Sequence, residues 1–294
     1  MLKCKHKLNN AQFCKKVGTA QVSNWSLEII RQNSNHRQFR AAILDFDGTV
    51  SLIREGWHDV MIPYFIEVLC EAPGTTSQEE AKVTVRDFVD FLTGKQTIYQ
   101  CIRLGEEVSA RGGIAKEPLE YKHEYHRRLM QRVSGRLERL HNKELEPEEM
   151  MVPGTVQLLE LLRNKGVKLY LASGTDEKYV LEEAELLQLT DYFDGGIFGA
   201  QDDYKRFSKA MVIKDIIGLG GINGPELIGF GDGYVEIENV KEVGGLAVGV
   251  ASNEAERVGI DEWKRGRLIG AGADVIIPDY TNIEELERYL FPNS

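Results

Sequence analysis

From residue 151 onward, short apolar segments alternate with segments of helical periodicity, and this alternation restricts the fold more than any other feature of the chain. Strands are predicted at 167–172, 196–199, 226–230, 246–250 and 273–277, and helices at 176–188, 208–217, 235–243 and 282–290. Strands that alternate with helices form a parallel sheet with helices on both of its faces. The second half of the chain is therefore predicted to be an α/β domain with a doubly wound parallel sheet.

An earlier apolar segment, Ala41 to Leu44, has the character of a strand of the same sheet, yet residues 51–150 separate it from the others. The intervening sequence has apolar residues at helical spacing in the segments 57–71, 77–92, 97–110 and 119–141. The simplest topology inserts an all-helical domain just after the first strand of a Rossmann-like core. We expect the core to comprise 41–54 and 151–294, and the inserted helical domain to comprise 55–150.

Residues 1–40 differ from the rest in charge, because they carry eight Lys or Arg and a single acid, Glu28, in a chain of net charge -10. Such an extension is commonly a solvated terminal arm, although a targeting or interaction segment has the same composition. We expect the α/β domain not to need it, and predict at most a short helix around Asn24 to Gln32. The acidic balance of the whole chain argues against a nucleic-acid partner, which needs a basic surface.

Apolar runs and cysteine spacing indicate a cytoplasmic protein. No run approaches the roughly 18 apolar residues that a membrane span requires, and the basic extension lacks the apolar stretch of a secretory signal. The four cysteines form no CxxC pair and have no histidine cluster beside them. Disulfides and zinc are therefore not expected, and a reducing cytoplasm is the expected location.

Polar motifs fall at the predicted carboxyl edge of the sheet, where parallel sheets bind their ligands. The first is the run Asp45-Phe46-Asp47-Gly48-Thr49. Alternation along an extended chain places Asp45 and Asp47 on the same side, where two carboxylates can hold a divalent cation. One of them can also attack phosphorus while the other transfers a proton, and Gly48 allows the backbone to approach a phosphate. The alternative is an Asx turn at a strand end, which needs only one Asp.

Three further motifs are each weaker. Ser173-Gly174-Thr175 is predicted at a helix start, where free N–H groups favour an anion, although its hydroxyls can also be simple caps.

Lys209 begins a predicted helix, where the helix dipole disfavours a positive charge, so Lys209 is a candidate ligand for an anion. The alternative is an ordinary surface lysine, and nearby Lys205 is a second candidate for the same role. Asp232 and Glu236 are four residues apart and can face one site, with Asp232 as a metal ligand and Glu236 supporting it. The alternative is that Asp232 is a turn residue and Glu236 a solvated acid.

In their order, these motifs resemble the four motifs of the haloacid dehalogenase superfamily across residues 41–290, and the helical insertion resembles the cap of its phosphoglycolate phosphatase and β-phosphoglucomutase branch. The resemblance implies that Asp45 is a nucleophile that forms an aspartyl-phosphate, and that Asp47 protonates the leaving oxygen and later activates water. Since a departing halide needs no proton, Asp47 favours phosphate chemistry over dehalogenation.

The resemblance also assigns ligands. The implied phosphate-binding residues are Gly48, Ser173, Gly174 and Lys209, and Ser173 and Lys209 also join the catalytic set. The implied Mg²⁺ ligands are Asp45, Asp47, Asp232 and Glu236. Glu236 departs from the pattern, because many relatives have Asp at this position, and its longer side chain is expected to support a metal-bound water.

We therefore expect a cytoplasmic, magnesium-dependent phosphatase that hydrolyses a small phosphorylated metabolite, as a monomer or dimer. The alternatives are a sugar phosphomutase on the same scaffold and a phosphate-binding module without turnover. The helical cap would read the leaving group. Its candidate specificity residues, which are otherwise ordinary polar residues, are Arg54, His58, Lys95 and Thr97.

Overall fold

The computed structural model describes residues 26–32 and 38–292. Over these residues seven strands form one sheet: β1 (Glu28–Ile29), β2 (Ala41–Leu44), β3 (Lys168–Asp176), β4 (Gly196–Ala200), β5 (Leu227–Gly231), β6 (Leu246–Val250) and β7 (Val275–Ile277). Their order is β1-β7-β6-β5-β2-β3-β4, and every neighbouring pair is parallel except β1 and β7. The predicted doubly wound parallel sheet is confirmed, with an antiparallel edge strand added.

Helices cover both faces of the sheet. The helices of the α/β part are α5 (Thr155–Asn164), α6 (Glu177–Leu186), α7 (Lys209–Gly220), α8 (Tyr234–Glu242), α9 (Glu262–Ala271) and α10 (Ile283–Leu290). Because successive side chains of a strand point to opposite faces, Ala42 and Leu44 of β2 join the apolar cluster of α5, α6 and α10. Ala41 and Ile43 join the cluster of α7, α8 and α9.

Four helices between β2 and α5 pack around a separate apolar core. They are α1 (His58–Cys70), α2 (Gln78–Leu92), α3 (Thr97–Ala110) and α4 (Pro118–His141), and we call them the four-helix unit. Buried side chains such as Phe65, Val89, Leu104 and Leu129 form this core. The helical character predicted for this stretch is confirmed. No helix of the described residues is long and apolar enough to cross a membrane.

The predictions were wrong at several places. The helix expected around Asn24 to Gln32 is absent from its described part: residues 28–29 pair with β7, and the Glu28 carboxylate lies 2.6 Å from Arg265. Two helices, α5 and α9, had not been predicted. Strand β3 continues to Asp176 through a register shift after Ala172, so Ser173-Gly174-Thr175 ends a strand and does not begin a helix. The first twenty-five residues of the extension lie outside the described part.

Strand β2 lies at the centre of the arrangement that matters for function. It is flanked by β3 on one side and β5 on the other. All four of its residues are buried, because the strand is covered on both faces. The loops that follow β2, β3 and β5 therefore meet at one edge of the sheet, beneath the four-helix unit.

Candidate active site

A cavity of about 100 Å³ lies between this sheet edge and the four-helix unit. Its lining from the sheet side includes Asp45, Asp47, Gly174, Thr175, Lys209, Asp232 and Glu254, and from the helical side Trp57, Met61, Thr93, Gly94, Lys95, Thr97, Gln100, Tyr125 and Leu129, with Arg54 between them. The structure thus brings the four predicted motifs to one place. Of the predicted site residues, Gly48, His58, Ser173 and Glu236 do not line the cavity itself.

Asp45 and Lys209 form the buried centre of the site. Lys209 Nζ donates to Asp45 Oδ1 at 2.7 Å, and it also pairs with Glu236. Burial alone would lower the pKa of Lys209, but the two carboxylates reverse this and raise it. Burial raises the pKa of Asp45 well above its usual range, against the opposing charge of Lys209. Lys205, the rival lysine, is exposed and does not take part.

Glu236 owes its place to small neighbours. A Cβ at Gly231 or Gly233 would overlap with the Glu236 side chain, so the two glycines leave room for the longer acid to fold back. Its Oε1 pairs with Lys209, while its Oε2 is buried and accepts no hydrogen bond from any residue that the structure describes. In this structure one carboxylate oxygen of Glu236 therefore binds Lys209, and the other is available to accept a further hydrogen bond.

Asp47 is held by the end of β3. Its Oδ2 accepts hydrogen bonds from Thr175 Oγ1 at 2.9 Å and from Ser173 Oγ at 3.3 Å. Ser173 is fully buried, whereas Thr175 reaches the cavity wall. Both hydroxyls thus orient Asp47, and Thr175 is a site residue that we had not predicted. Its signal was present, because it ends the same Ser-Gly-Thr motif.

Arg54 lies beside Asp47 but is tied to the core. Its Nε is 3.8 Å from Asp47 Oδ1, an oxygen that accepts no hydrogen bond within the described part of the chain. Its Nη2 donates to Glu183 Oε1 of α6 at 2.6 Å, and both side chains are buried. Burial raises the pKa of Glu183, and the Arg54 charge opposes that rise. Sequence reasoning missed Glu183, although its helical spacing from Val180 and Leu187 places it on the buried face of α6.

Asp232 has two partners that the sequence did not reveal. Its Oδ2 lies 2.8 Å from Lys264 Nζ, and the same ammonium lies 2.6 Å from Glu254 Oε1. A Cβ at Gly48 would overlap with Asp232 Oδ2, so glycine with φ +75° is required there. Glu254 follows β6, another strand of the same edge, and this position was its only signal.

The helical side supplies the remaining candidates. Lys95 and Thr97 line the cavity as predicted, and Gln96 between them donates to the Phe207 carbonyl at 2.7 Å, which holds the loop down on the core. His58 instead stacks on Trp57 with ring centroids 3.5 Å apart. Burial lowers the pKa of His58 to about 4. The position of His58 thus gives it a packing contact at the cavity rim.

The donors around the cavity suit a hard divalent cation. Five carboxylates lie at this sheet edge (Asp45, Asp47, Asp232, Glu236 and Glu254), and the buried lysines Lys209 and Lys264 pair with all of them except Asp47. Lys95 lines the cavity from the helical side. Carboxylate and carbonyl oxygens are the ligands that Mg²⁺ prefers. In residues 26–32 and 38–292, however, no three acidic, His or Cys side chains already surround a common point. The donor chemistry fits Mg²⁺, and the two lysines hold the donors.

Comparison with known proteins confirms the resemblance. A sequence model of the haloacid dehalogenase-like hydrolases matches residues 39–244. Similar solved structures include a predicted phosphoglycolate phosphatase from Haemophilus somnus, with 14% identity and a TM-score of 0.56 over 86% of this chain and 99% of that one. A predicted phosphatase from Clostridium acetobutylicum has 17% identity and a TM-score of 0.54 over 87% and 99%. A β-phosphoglucomutase from Clostridium difficile has 14% identity and a TM-score of 0.56 over 87% and 98%.

At these identities the likeness concerns the fold alone. No curated protein matches the sequence significantly. What the site does must therefore be argued from its own residues.

Proposed function

Because the chain belongs to the family of haloacid dehalogenase-like hydrolases, we propose that it is a magnesium-dependent phosphatase that acts on a small phosphate monoester. The observation that carries the proposal is the buried pair of Asp45 Oδ1 and Lys209 Nζ, 2.7 Å apart, with Asp47 beside it. A carboxylate next to a fixed ammonium is suited to attack a phosphoryl group, because the cation offsets the repulsion between two anions.

In the proposed reaction an Asp45 oxygen attacks phosphorus while the ester P–O bond breaks, which leaves an aspartyl-phosphate. Asp47 donates a proton to the departing oxygen, and then accepts one from the water that attacks the aspartyl-phosphate. Free Asp45 and inorganic phosphate result. The hydroxyls of Ser173 and Thr175 keep the Asp47 carboxylate in place for both proton transfers.

Residues for the metal are present at the same edge. Asp45 and Asp232, with the main-chain carbonyl of Asp47, would hold Mg²⁺. When bound, it would supply positive charge to the phosphoryl oxygens. Lys209, at the start of α7, supplies a second positive charge for the phosphoryl group. Gly174 lines the cavity and has no side chain that would obstruct a phosphate.

The four-helix unit is proposed to act as a cap over the reaction, with the division of the chain at 41–54, 55–150 and 151–294. Lys122 of α4 pairs with Asp176 at the end of β3, and His126 stacks on Tyr179 with centroids 4.0 Å apart. These contacts join the unit to the core, so that the unit can cover a bound ester during the reaction.

The volume of this partly open cavity favours hydrolysis of a small ester over a mutase reaction. A cavity of about 100 Å³ is smaller than the roughly 150 Å³ that holds one benzene molecule in an engineered protein. With the cap in this position there is room for a phosphoryl group and a few further atoms. A sugar phosphomutase must retain a hexose bisphosphate and let it reorient in the site, and this molecule is larger than the cavity.

The test is a panel of phosphate monoesters of increasing size, assayed for inorganic phosphate with Mg²⁺ and with EDTA. The proposal expects release that needs Mg²⁺ and is fastest for leaving groups of two to four carbons on the scale of this cavity. β-Glucose 1-phosphate is included, because its conversion to glucose 6-phosphate without release would instead indicate a mutase. A full panel without turnover would overturn the proposal and leave a phosphate-binding module.

A further inference from the structure

Lys264 is a buried cation at the site that neither the motifs nor the proposed reaction uses. It lies in the first turn of α9, where Asp261 caps the helix and where a positive charge is opposed by the helix dipole. Its Nζ faces three oxygens: Asp232 Oδ2 at 2.8 Å, Glu254 Oε1 at 2.6 Å and Ser252 Oγ at 3.2 Å. Three acceptors match the three N–H donors of an ammonium, so this lysine is fully bound within the protein.

The contacts connect Lys264 to the first motif as well. Ser252 Oγ, which accepts from Lys264, donates to the Gly48 carbonyl at 2.6 Å. Asp232 in turn packs against Gly48, where no side chain is tolerated. Lys264 itself does not line the cavity, whereas Asp232 and Glu254 both do. Any influence on the reaction therefore passes through these two carboxylates or through Ser252 and the Gly48 carbonyl.

We propose that Lys264 is an internal cation that competes with Mg²⁺ for Asp232 and thereby weakens metal binding at this site. The inference rests on the proposed function, because it takes Asp232 as a metal ligand. Mg²⁺ and the ammonium both need the Asp232 carboxylate, and two cations close to one carboxylate repel each other. Glu254 is the partner that keeps Lys264 neutralised when Asp232 turns to the metal.

A purely structural role makes the opposite prediction. If Lys264 served only to hold Asp232 in position, its removal would loosen a metal ligand and weaken Mg²⁺ binding. Under competition its removal frees the carboxylate and strengthens binding. The sign of the change in affinity therefore separates the two roles.

The experiment measures the Kd of Mg²⁺ by calorimetry on the metal-stripped full chain and on Lys264→Met, a neutral side chain of similar length. If Lys264 competes with Mg²⁺, we expect Lys264→Met to bind Mg²⁺ about tenfold or more tightly than wild type. Lys264→Arg keeps the charge and should retain the weak wild-type affinity. Lys214→Met, on the exposed side of α7, removes one positive charge elsewhere and should leave the Kd unchanged.

An unchanged or weaker affinity in Lys264→Met would overturn the inference while leaving the proposed phosphatase intact. If instead no variant binds Mg²⁺, the metal site itself fails and the proposed function with it. If Lys264→Met does not fold, the single variant Glu254→Gln is compared with the double variant Lys264→Met/Glu254→Gln. The double variant removes the charge of Glu254 together with that of Lys264, so Glu254 is not left buried without a partner. Tighter binding in the double variant than in Glu254→Gln then supports competition, and equal or weaker binding overturns it.

Discussion

Arg54 Nη2 lies 2.6 Å from Glu183 Oε1, and the two buried side chains join the loop after β2 to helix α6. Removing one partner of such a pair leaves an unmatched charge inside the protein. We expect Glu183→Gln to lower the free energy of unfolding by about 3 kcal/mol or more, measured by urea denaturation. Glu182→Gln, an exposed acid of the same helix, should change it by no more than about 0.5 kcal/mol.

The double variant Arg54→Met/Glu183→Leu tests the same relationship from the other side. Because two apolar groups need no partner, it should regain most of the stability that Glu183→Gln loses. A double variant as unstable as the single one would show that packing around α6, and not the charge pair, accounts for the loss.

Asp45→Asn should abolish turnover without unfolding the chain. An amide cannot form the covalent phosphoryl intermediate, so phosphate release from the best ester should fall on the order of 10⁴-fold or more. The variant also removes a buried charge that is costly to keep, and its thermal unfolding should remain cooperative. Residual activity within tenfold of wild type would contradict the covalent mechanism.

The part of the site that follows from local sequence was predictable. Asp45 and Asp232 directly follow apolar strands, and the carboxyl ends of β2 and β5 are adjacent because the strands pair in parallel. Short-range patterns of this kind also identified the sheet and most of its helices. Lys209 could be selected as a candidate from its unfavourable place at a helix start, but only the fold distinguishes it from Lys205.

The ion-pair partners could not be predicted. Glu183 is 129 positions from Arg54, and although helical spacing puts it on the same face as Val180 and Leu187, nothing in the sequence pairs it with Arg54. Lys264 belongs to helix α9, which has a polar composition and a weakly apolar face, so the pattern did not reveal the helix. The end of β3 was misassigned because its register shift places Ser173 and Thr175 on a strand, although their composition is that of a helix cap.

Gly48→Ala offers a matched test of the Asp232 position. Gly48 has φ +75° and Gly112 has φ +73°, so alanine is similarly strained at both, by about 1–2 kcal/mol. At Gly112 no atom lies near the added Cβ among the described residues, whereas at Gly48 it would displace the Asp232 carboxylate. Both variants should lose stability, but only Gly48→Ala should also lose activity and Mg²⁺ affinity. Equal activities would contradict the required contact.

The lowered pKa of His58 predicts that the free energy of unfolding falls at acidic pH. Its pKa is lowered to about 4 by burial, whereas an unfolded histidine titrates near 6.5. Between these values the unfolded chain binds more protons than the folded one, so stability falls as the pH decreases. The contribution is fully present above about pH 6.5 and is lost toward pH 4. From pH 7 to 4.5, wild type should lose roughly 2 kcal/mol more than His58→Gln, after allowance for partial exposure.

The exposed His123 provides the control for this comparison. His123→Gln removes an imidazole from the surface of α4, so its stability should follow that of wild type across the same pH range. Urea denaturation at pH 7, 5.5 and 4.5 measures all three proteins. Since His58 stacks on Trp57 at the cavity rim, charging it is expected to loosen the four-helix unit before the sheet. Tryptophan fluorescence of wild type should then change at a higher pH than that of His58→Gln, and identical acid titrations of the two proteins would contradict the role of His58.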